Sequence, residues 1–333
     1  MDTSTHITMG FGLAGLALLD PSIDSNPQLA NAIMLCTVVG SNAPDFDYFI
    51  KLFKGNGMYV EHHRGASHSI PALFIWSLLI SGMTFSFFND ASFFQLFVWT
   101  LIAVVVHVVF DIFNAYGTQA GRPFTKKWLS INIIPLFDPF IMFIHFIGFT
   151  FWIIGFHPGF VFIYAYFIII GYIILRFLIA NRKKQLIGTK ESLPPNRITL
   201  IPSIWLNKWD IVIEKEKSYD VGRIEGKAII WYHHFDKYNN DSNIINKSLM
   251  DKNVNHFLAN SKHTHVLTHP ISSGIEVRWI DLRFRNKNHY PYMAVVKFDK
   301  ESNIQASFTG WVHNTSHLSE KLAKHERSIV ADG

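Results

Sequence analysis

Polar side chains nearly vanish from four stretches of the chain, each as long as a bilayer is thick: Pro71–Phe88, Phe93–Phe113, Ile133–Gly155 and Gly159–Ala180. About 20 helical residues cross a hydrocarbon core of ~30 Å. Four such runs within 110 residues are more than a soluble core needs. Two shorter apolar runs, Met9–Leu19 and Leu29–Gly40, precede them. The pattern therefore predicts a polytopic α-helical membrane bundle with four to six membrane helices. From about Gln185 the period changes to strand-like alternation: Arg197–Ile201, Asp210–Lys217, Lys227–His233, Gly274–Phe284, Tyr292–Phe298 and Ile304–Val312. Asn246–Ser261 reads as helix. The expected organisation is a membrane domain over 1–184 and a soluble α+β or mostly β domain over 185–333, with Ser192–Asn196 (SLPPN) as the linker.

Composition sharpens this division. Residues 1–180 carry 7 Lys+Arg and 9 Asp+Glu, against 23 and 16 in the remainder. A uniform soluble globule, a disordered chain and a coiled coil are thereby excluded. The one cysteine, Cys36, excludes a disulfide framework and a cysteine-rich zinc module. Met1–His6 has no Lys or Arg, so no cleaved signal peptide is expected. Basic residues alternate between connections. Lys51, Lys54 and Arg64 precede the first long run, Arg122, Lys126 and Lys127 lie between the second and third, and Arg182, Lys183 and Lys184 follow the last. The turns Asn89–Ser92 and His157–Pro158 have none. If every long run crosses, the basic segments share one side, which predicts a multi-pass plasma-membrane protein with a cytoplasmic C-terminus.

The candidate chemistry lies at the basic-segment side of the apolar runs. Ionisable groups in membrane segments are costly and usually serve a function. His107 and Asp111 are four apart, on one face of a helix. They can present an imidazole and a carboxylate to one divalent cation, or form a structural hydrogen bond. Asn114 follows on the same face, able to orient a ligand or a substrate oxygen. Asp45 and Asp47 follow the helix-breaking Pro44, and two close carboxylates suit hard cations. His63, Arg64 and His68 open the next run, with imidazoles suited to zinc, manganese or iron and an arginine suited to an anion. His6 stands near the start of the first short run. Convergence of these clusters at one membrane face favours a shared metal site, and the absence of thiolates favours an open site over a closed structural zinc. His263, His265 and His269 have no carboxylate within their run and read as ordinary strand residues.

The order of motifs resembles the YdjM-like (YfhP-type) family of membrane-bound predicted metal-dependent hydrolases. The matching residues are Asp2, Thr5 and His6; Pro44-Asp45-Phe46-Asp47; His63-Arg64-Gly65-Ala66-Ser67-His68-Ser69; and His107, Asp111, Asn114 and Gly117. The resemblance covers roughly residues 1–180. That family is similar in outline to all-helical zinc phospholipases C and single-strand nucleases, whose second metal-binding helix has no match here.

Two functions follow as expectations. In the first, a membrane hydrolase, His6, Asp45, Asp47, His68, His107 and Asp111 are the metal ligands, and His63, Arg64 and Asn114 serve catalysis. The cation is a divalent metal, zinc first and manganese second. The substrate is a phosphoester of a lipid or lipid-like molecule, because the site opens at the headgroup layer. In the second, a metal- or proton-coupled transporter or a membrane sensor, Asp111, His145 and Arg176 line an ion path. Membrane lipid is the expected partner. Nucleic acid is not expected, since the C-terminal region has no recognisable binding motif.

Overall fold

The computed structural model describes residues 1–47, 64–88, 90–237, 242–312, 314, 316 and 318–323, without the side chain of Asp47. His63, Lys51 and Lys54 lie outside the described residues. The chain has an N-terminal region of apolar helices followed by two antiparallel sheets with helices. The described residues divide into two compact units, one containing 1–47, 64–190 and 200–209, the other 191–199 and the residues from 210 onward.

Capping polar residues, several of them followed by proline, set where the helices begin. Asp2 caps α1 (Thr3–Ala17), accepting a hydrogen bond from Thr5 N at 3.2 Å. Asp20 precedes Pro21 at the start of α2 (Pro21–Asp24), and Asn26 precedes Pro27 at the start of α3 (Pro27–Gly40). Next come α4 (Ile70–Phe87), α5 (Phe93–Phe113), α6 (Pro139–Ile153) and α7 (Pro158–Glu191). Among the described helices, α4, α5 and α7 are long and apolar enough to cross a membrane. The run Ile133–Gly155 yields a shorter helix because Asp138 and Pro139 start α6 late. Residues 133 and 134 instead hydrogen-bond to the Phe113 carbonyl at the end of α5.

These helices turn apolar side chains outward. On α4, Ile75, Leu78, Leu79 and Met83 are exposed, whereas Ser77, Ser81 and Thr84 are buried. Small polar residues inside and large apolar ones outside is the arrangement of a helix packed in lipid. Buried positions on α5 recur at Leu96, Thr100, Ala103, Val104, His107, Val108 and Asp111, a stripe of helical period facing α3 and α4. Gly10 permits a close approach between helix backbones. A Cβ there would fall 2.7 Å from Val38 Cα and 2.9 Å from the Thr37 carbonyl. α1 therefore packs directly on the end of α3, the end that carries Ser41.

Four strands, β1 (Ile198–Pro202), β2 (Lys208–Glu214), β3 (Ser218–Glu225) and β4 (Ala228–Asp236), form one sheet in chain order. The alternation scan misses β3. Its burial does not alternate strictly: Tyr219 and Val221 are buried on one parity and Ile224 on the other, the change falling at Val221–Gly222, where the pairing with β4 skips Tyr232. The second sheet is an antiparallel meander of β5 (Thr264–Ile271), β6 (Gly274–Asp281), β7 (Tyr292–Asp299) and β8 (Ile304–Trp311). The expected helix over 246–261 resolves into α8 (Asn243–Ser248) and α9 (Lys252–Asn260), the second capped by Asp251. Val254 and Phe257 of α9 are buried with Val277, Trp279, Ala294, Val296 and Phe298 of the sheet.

Candidate metal centre

Three separate stretches deliver the site. His107 and Asp111 project from the buried face of α5, in its last two turns. Asp45 lies in the 3-10 turn Ala43–Asp47, just past the end of α3. His68 ends the 3-10 turn Ala66–His68, immediately before α4. Asp45, His68, His107 and Asp111 each offer a ligand atom, all within 4.8 Å of one another. Among the described residues, no second group of this kind forms in the C-terminal region. The His68, His107 and Asp111 side chains are fully buried, and Asp45, at 24% exposure, is the open side.

The contacts inside the group fit a cation better than they fit one another. His107 Nδ1 lies 2.7 Å from the Ser41 carbonyl, which can only accept. The ring proton is therefore on Nδ1, and Nε2 presents a bare lone pair to the site. That nitrogen lies 3.3 Å from His68 Nε2, 3.6 Å from Asp45 Oδ1 and 3.7 Å from Asp111 Oδ2. Asp45 Oδ1 and Asp111 Oδ2 are buried without a hydrogen-bond partner. Lone pairs and carboxylate oxygens facing each other across a buried space repel, and a positive ion among them removes the conflict. Burial alone would raise the Asp45 carboxyl. The Arg64 guanidinium, always protonated, acts against burial and favours the anionic form a cation requires.

Around this group the other expected residues take distinct places. Arg64 is buried with φ 61°, a left-handed backbone that turns its side chain inward. Its Nε lies 3.3 Å from Asp111 Oδ2, its Nη1 donates to Asn114 Oδ1 at 3.3 Å, and its guanidinium lies over the Tyr116 ring. Arg64 is thus part of the site's interior. Asn114 sits behind the centre. Its Nδ2 donates to Asp111 Oδ1 at 3.2 Å, while its Oδ1 accepts from Tyr116 N and Gly117 N. The Asn-x-x-Gly spacing is that of this side-chain turn, and Gly117 takes φ 70° where a Cβ would meet the Leu129 carbonyl at 2.4 Å. The His6 ring stacks on His107, with centroids 3.8 Å apart, and its Nε2 is 3.5 Å from Asp111 Oδ1. It lies beside the four-residue group rather than within it. Asp2 is the helix cap that aligns His6, so the Asp2/Thr5 spacing has a structural cause. The sequence reading missed two participants that are main-chain groups: the Ser41 carbonyl, and the Met1 amino group, which contacts Asp111 and lies 3.0 Å from His6 Nε2. Side-chain motifs carry no signal for either.

Asp138 and Arg176 do not join this centre. They pair with each other and with Tyr172. His145 is buried on α6 with Nδ1 2.8 Å from the Ile141 carbonyl. In the C-terminal region His263 Nε2 lies 2.8 Å from Thr199 Oγ1, and His233 Nδ1 lies 2.8 Å from the Tyr290 hydroxyl.

Apolar helices around a buried carboxylate–imidazole cluster define a membrane protein with a candidate metal centre. The chain belongs to the YdjM inner membrane protein family, whose model matches residues 1–183. Residues 243–322 match the YfhP C-terminal alpha/beta plait domain. Over 327 residues the chain is 39% identical to a Bacillus subtilis (strain 168) protein described as uncharacterized protein YfhP, covering 97% of this chain and 98% of that one. No solved structure matches.

Proposed function

We propose that the chain is a multi-pass plasma-membrane hydrolase that uses a divalent metal to cleave an ester, a phosphoester of a lipid or lipid-like molecule above all. The observation that carries this reading is the four-residue group in which His107 Nε2 faces two carboxylate oxygens that have no hydrogen-bond partner. Two imidazoles and two carboxylates, without thiolate, suit zinc first and manganese second. Asp45, His68, His107 and Asp111 would hold the divalent cation, which when bound would supply a water of pKa lowered towards about 7 and a Lewis acid for an ester oxygen.

The chain's own residues have separable tasks in this scheme. The Ser41 carbonyl keeps the His107 proton on Nδ1, so that Nε2 stays available. Asn114 fixes the Asp111 carboxylate. Arg64 places a permanent positive charge beside Asp111, where it offsets the charge of a phosphate. The centre lies at the end of α5, with Asp45 as its exposed member, so a substrate approaching from the headgroup layer reaches it first at Asp45. The exposed Lys126 and Lys127 and the basic Arg182–Lys184 segment support a cytoplasmic C-terminus. Arg176 is committed to Asp138, which speaks against an ion path shared by Asp111 and Arg176.

The test is metal analysis of detergent-purified protein, alongside hydrolysis of a chromogenic phosphodiester and of phospholipid in mixed micelles. Stoichiometric divalent metal is expected, with activity lost on chelation and restored by zinc. A His107→Ala, Asp111→Ala variant that keeps its metal would remove the proposed site. Wild-type protein that holds metal but hydrolyses no ester would leave a binding protein in place of an enzyme.

A further inference from the structure

The turn joining β1 to β2, residues 203–207, reads Ser-Ile-Trp-Leu-Asn and belongs to the helical unit. Three consecutive apolar side chains are exposed there: Ile204 at 48%, Trp205 at 60% and Leu206 at 37%. The turn is firmly built. Ser203 Oγ accepts from Trp205 N at 3.1 Å and donates to the Lys208 carbonyl at 2.7 Å. Trp209, fully buried, donates its Nε1 to the Leu206 carbonyl at 2.9 Å. Two side chains of α7 hold the turn from beneath. Arg176 Nη2 donates to the Ser203 carbonyl at 2.9 Å, and Lys183 Nζ donates to the Asn207 carbonyl at 3.1 Å. Arg176 also lies 5.0 Å from the Trp209 ring centre.

Positions 176 and 183 are two turns apart on one helix face, so the turn lies along roughly 10 Å of α7. That stretch is where the outward face of α7 changes character. Phe177 and Leu178 are exposed and apolar, whereas Asn181 and Arg182 are exposed and polar. A helix of 34 residues is about 50 Å long, more than a ~30 Å hydrocarbon core needs, so the change marks where α7 leaves the lipid.

We infer that Ile204, Trp205 and Leu206 form an interfacial membrane anchor, inserted at the boundary between acyl chains and headgroups of the bilayer that α7 crosses. The inference rests on that crossing. A tryptophan flanked by two aliphatic residues suits this layer, because its ring is apolar and its N–H meets headgroup oxygens. Lys208, next to the turn in the chain, and the basic Arg182–Lys184 stretch of α7, whose Lys183 reaches Asn207, suit anionic phosphate. Held to α7 at Ser203 and Asn207, the turn keeps its apolar tip presented before lipid is met, so insertion costs little ordering.

The test uses the full-length protein in vesicles of phosphatidylcholine and phosphatidylglycerol, in a Cys36→Ala background. Trp205→Cys and, separately, Leu206→Cys carry an environment-sensitive fluorophore, and lipids bear a doxyl quencher at a shallow or a deep acyl position. Ile170→Cys on the exposed face of α7 and Glu301→Cys in an exposed turn are the references. Shallow doxyl is expected to quench the 205 and 206 probes roughly two-fold, deep doxyl to quench the 170 probe, and neither to quench the 301 probe. Quenching at 170 with none at 205 and 206 overturns the anchor while leaving the membrane crossing intact. Absence of quenching at 170 removes the crossing itself, and the anchor with it. Energy transfer between copies labelled at 205, without lipid quenching, assigns the turn to a second copy and equally overturns the anchor.

Discussion

Arg176, Asp138 and Tyr172 form one buried polar cluster in the helical unit, and Asp45, His68, His107 and Asp111 form another. In the first, every group has a partner. Asp138 Oδ1 caps α6 at Phe140 N and Ile141 N, and its Oδ2 takes the Tyr172 hydroxyl and Arg176 Nη1. The remaining guanidinium nitrogens of Arg176 reach the Ile133 and Ser203 carbonyls. One positive and one negative charge cancel. In the second, Asp45 Oδ1 has no hydrogen-bond partner, Asp111 Oδ2 has the Arg64 guanidinium at 3.3 Å but no hydrogen bond, and the His107 nitrogen bonded to the Ser41 carbonyl is the one turned away from the site. A closed cluster of this kind staples helices and loops. An open one is poised to receive a cation.

This contrast can be broken at either end, beginning with the largest expected effect. Arg176→Met strands Asp138 in a buried site and should destabilise the helical unit by about 3–5 kcal/mol, with metal content unchanged. The double variant Asp138→Leu, Arg176→Met should recover all but about 1 kcal/mol, the lost cap of α6. Thermal unfolding in detergent reads both, and a metal-depleted Arg176→Met protein would merge the two clusters into one system. Asp111→Asn is nearly isosteric and keeps hydrogen bonding to Asn114. It should fold, yet lose metal affinity and phosphoester hydrolysis by roughly 100-fold or more, about 3 kcal/mol. Full occupancy and full activity in that variant would dismiss Asp111 as a ligand, and retained activity in Asp45→Asn and His68→Ala as well would dismiss the hydrolase.

His263 extends the contrast to the soluble region, where a buried imidazole is kept neutral. Burial pushes it down to about 4. The unfolded chain takes up a proton near 6.5, so the stabilising contribution is complete above that pH and is lost as pH falls from about 6.5 to 4. The loss reaches up to about 3 kcal/mol, at ~1.36 per unit. Protection factors for hydrogen exchange in β5–β8 of the full chain, taken relative to the intrinsic exchange rate at each pH, should therefore fall from pH 7 to pH 5, and His263→Gln should flatten the change. An unaltered pH dependence in that variant would place the acid sensitivity elsewhere. The smallest effect belongs to Asn114→Ala, which frees Asp111 without removing a ligand. Metal affinity should fall about 10–100-fold, or 1.4–2.8 kcal/mol, and titration with a competing chelator measures it. A loss as deep as that of Asp111→Asn would move Asn114 into the first rank of ligands.

Periodicity and charge made the membrane region and the β-rich region legible, because burial in lipid and burial on one sheet face leave different repeats. They were less informative where local chemistry overrides the repeat. Asp138-Pro139 delays α6, and the change of burial parity at Val221–Gly222 hides β3. The carboxylates and histidines of the candidate centre stood out because such residues are costly inside a bilayer. Their roles did not separate by spacing alone. Asn114 reads as a helix-face neighbour of His107, yet α5 ends at Phe113 and the Asn114 side chain folds back into its own turn.

From the sequence alone come the residue types that can bind a cation and the apolar lengths that can cross a membrane, since each depends on neighbours within a few positions. Tertiary structure decided which of those residues meet. Asp45, His68 and Asp111 are separated by up to 66 positions, and they meet through the packing of α1, α3, α4 and α5; Asp138 and Arg176, 38 apart, meet across the start of α6 and the middle of α7. The carbonyl of Ser41 is chemically like every other carbonyl in the chain. Only the close packing of α1 and α3, where Gly10 has no side chain, and the buried stripe of α5 bring that carbonyl to His107 and so select which imidazole nitrogen faces the site.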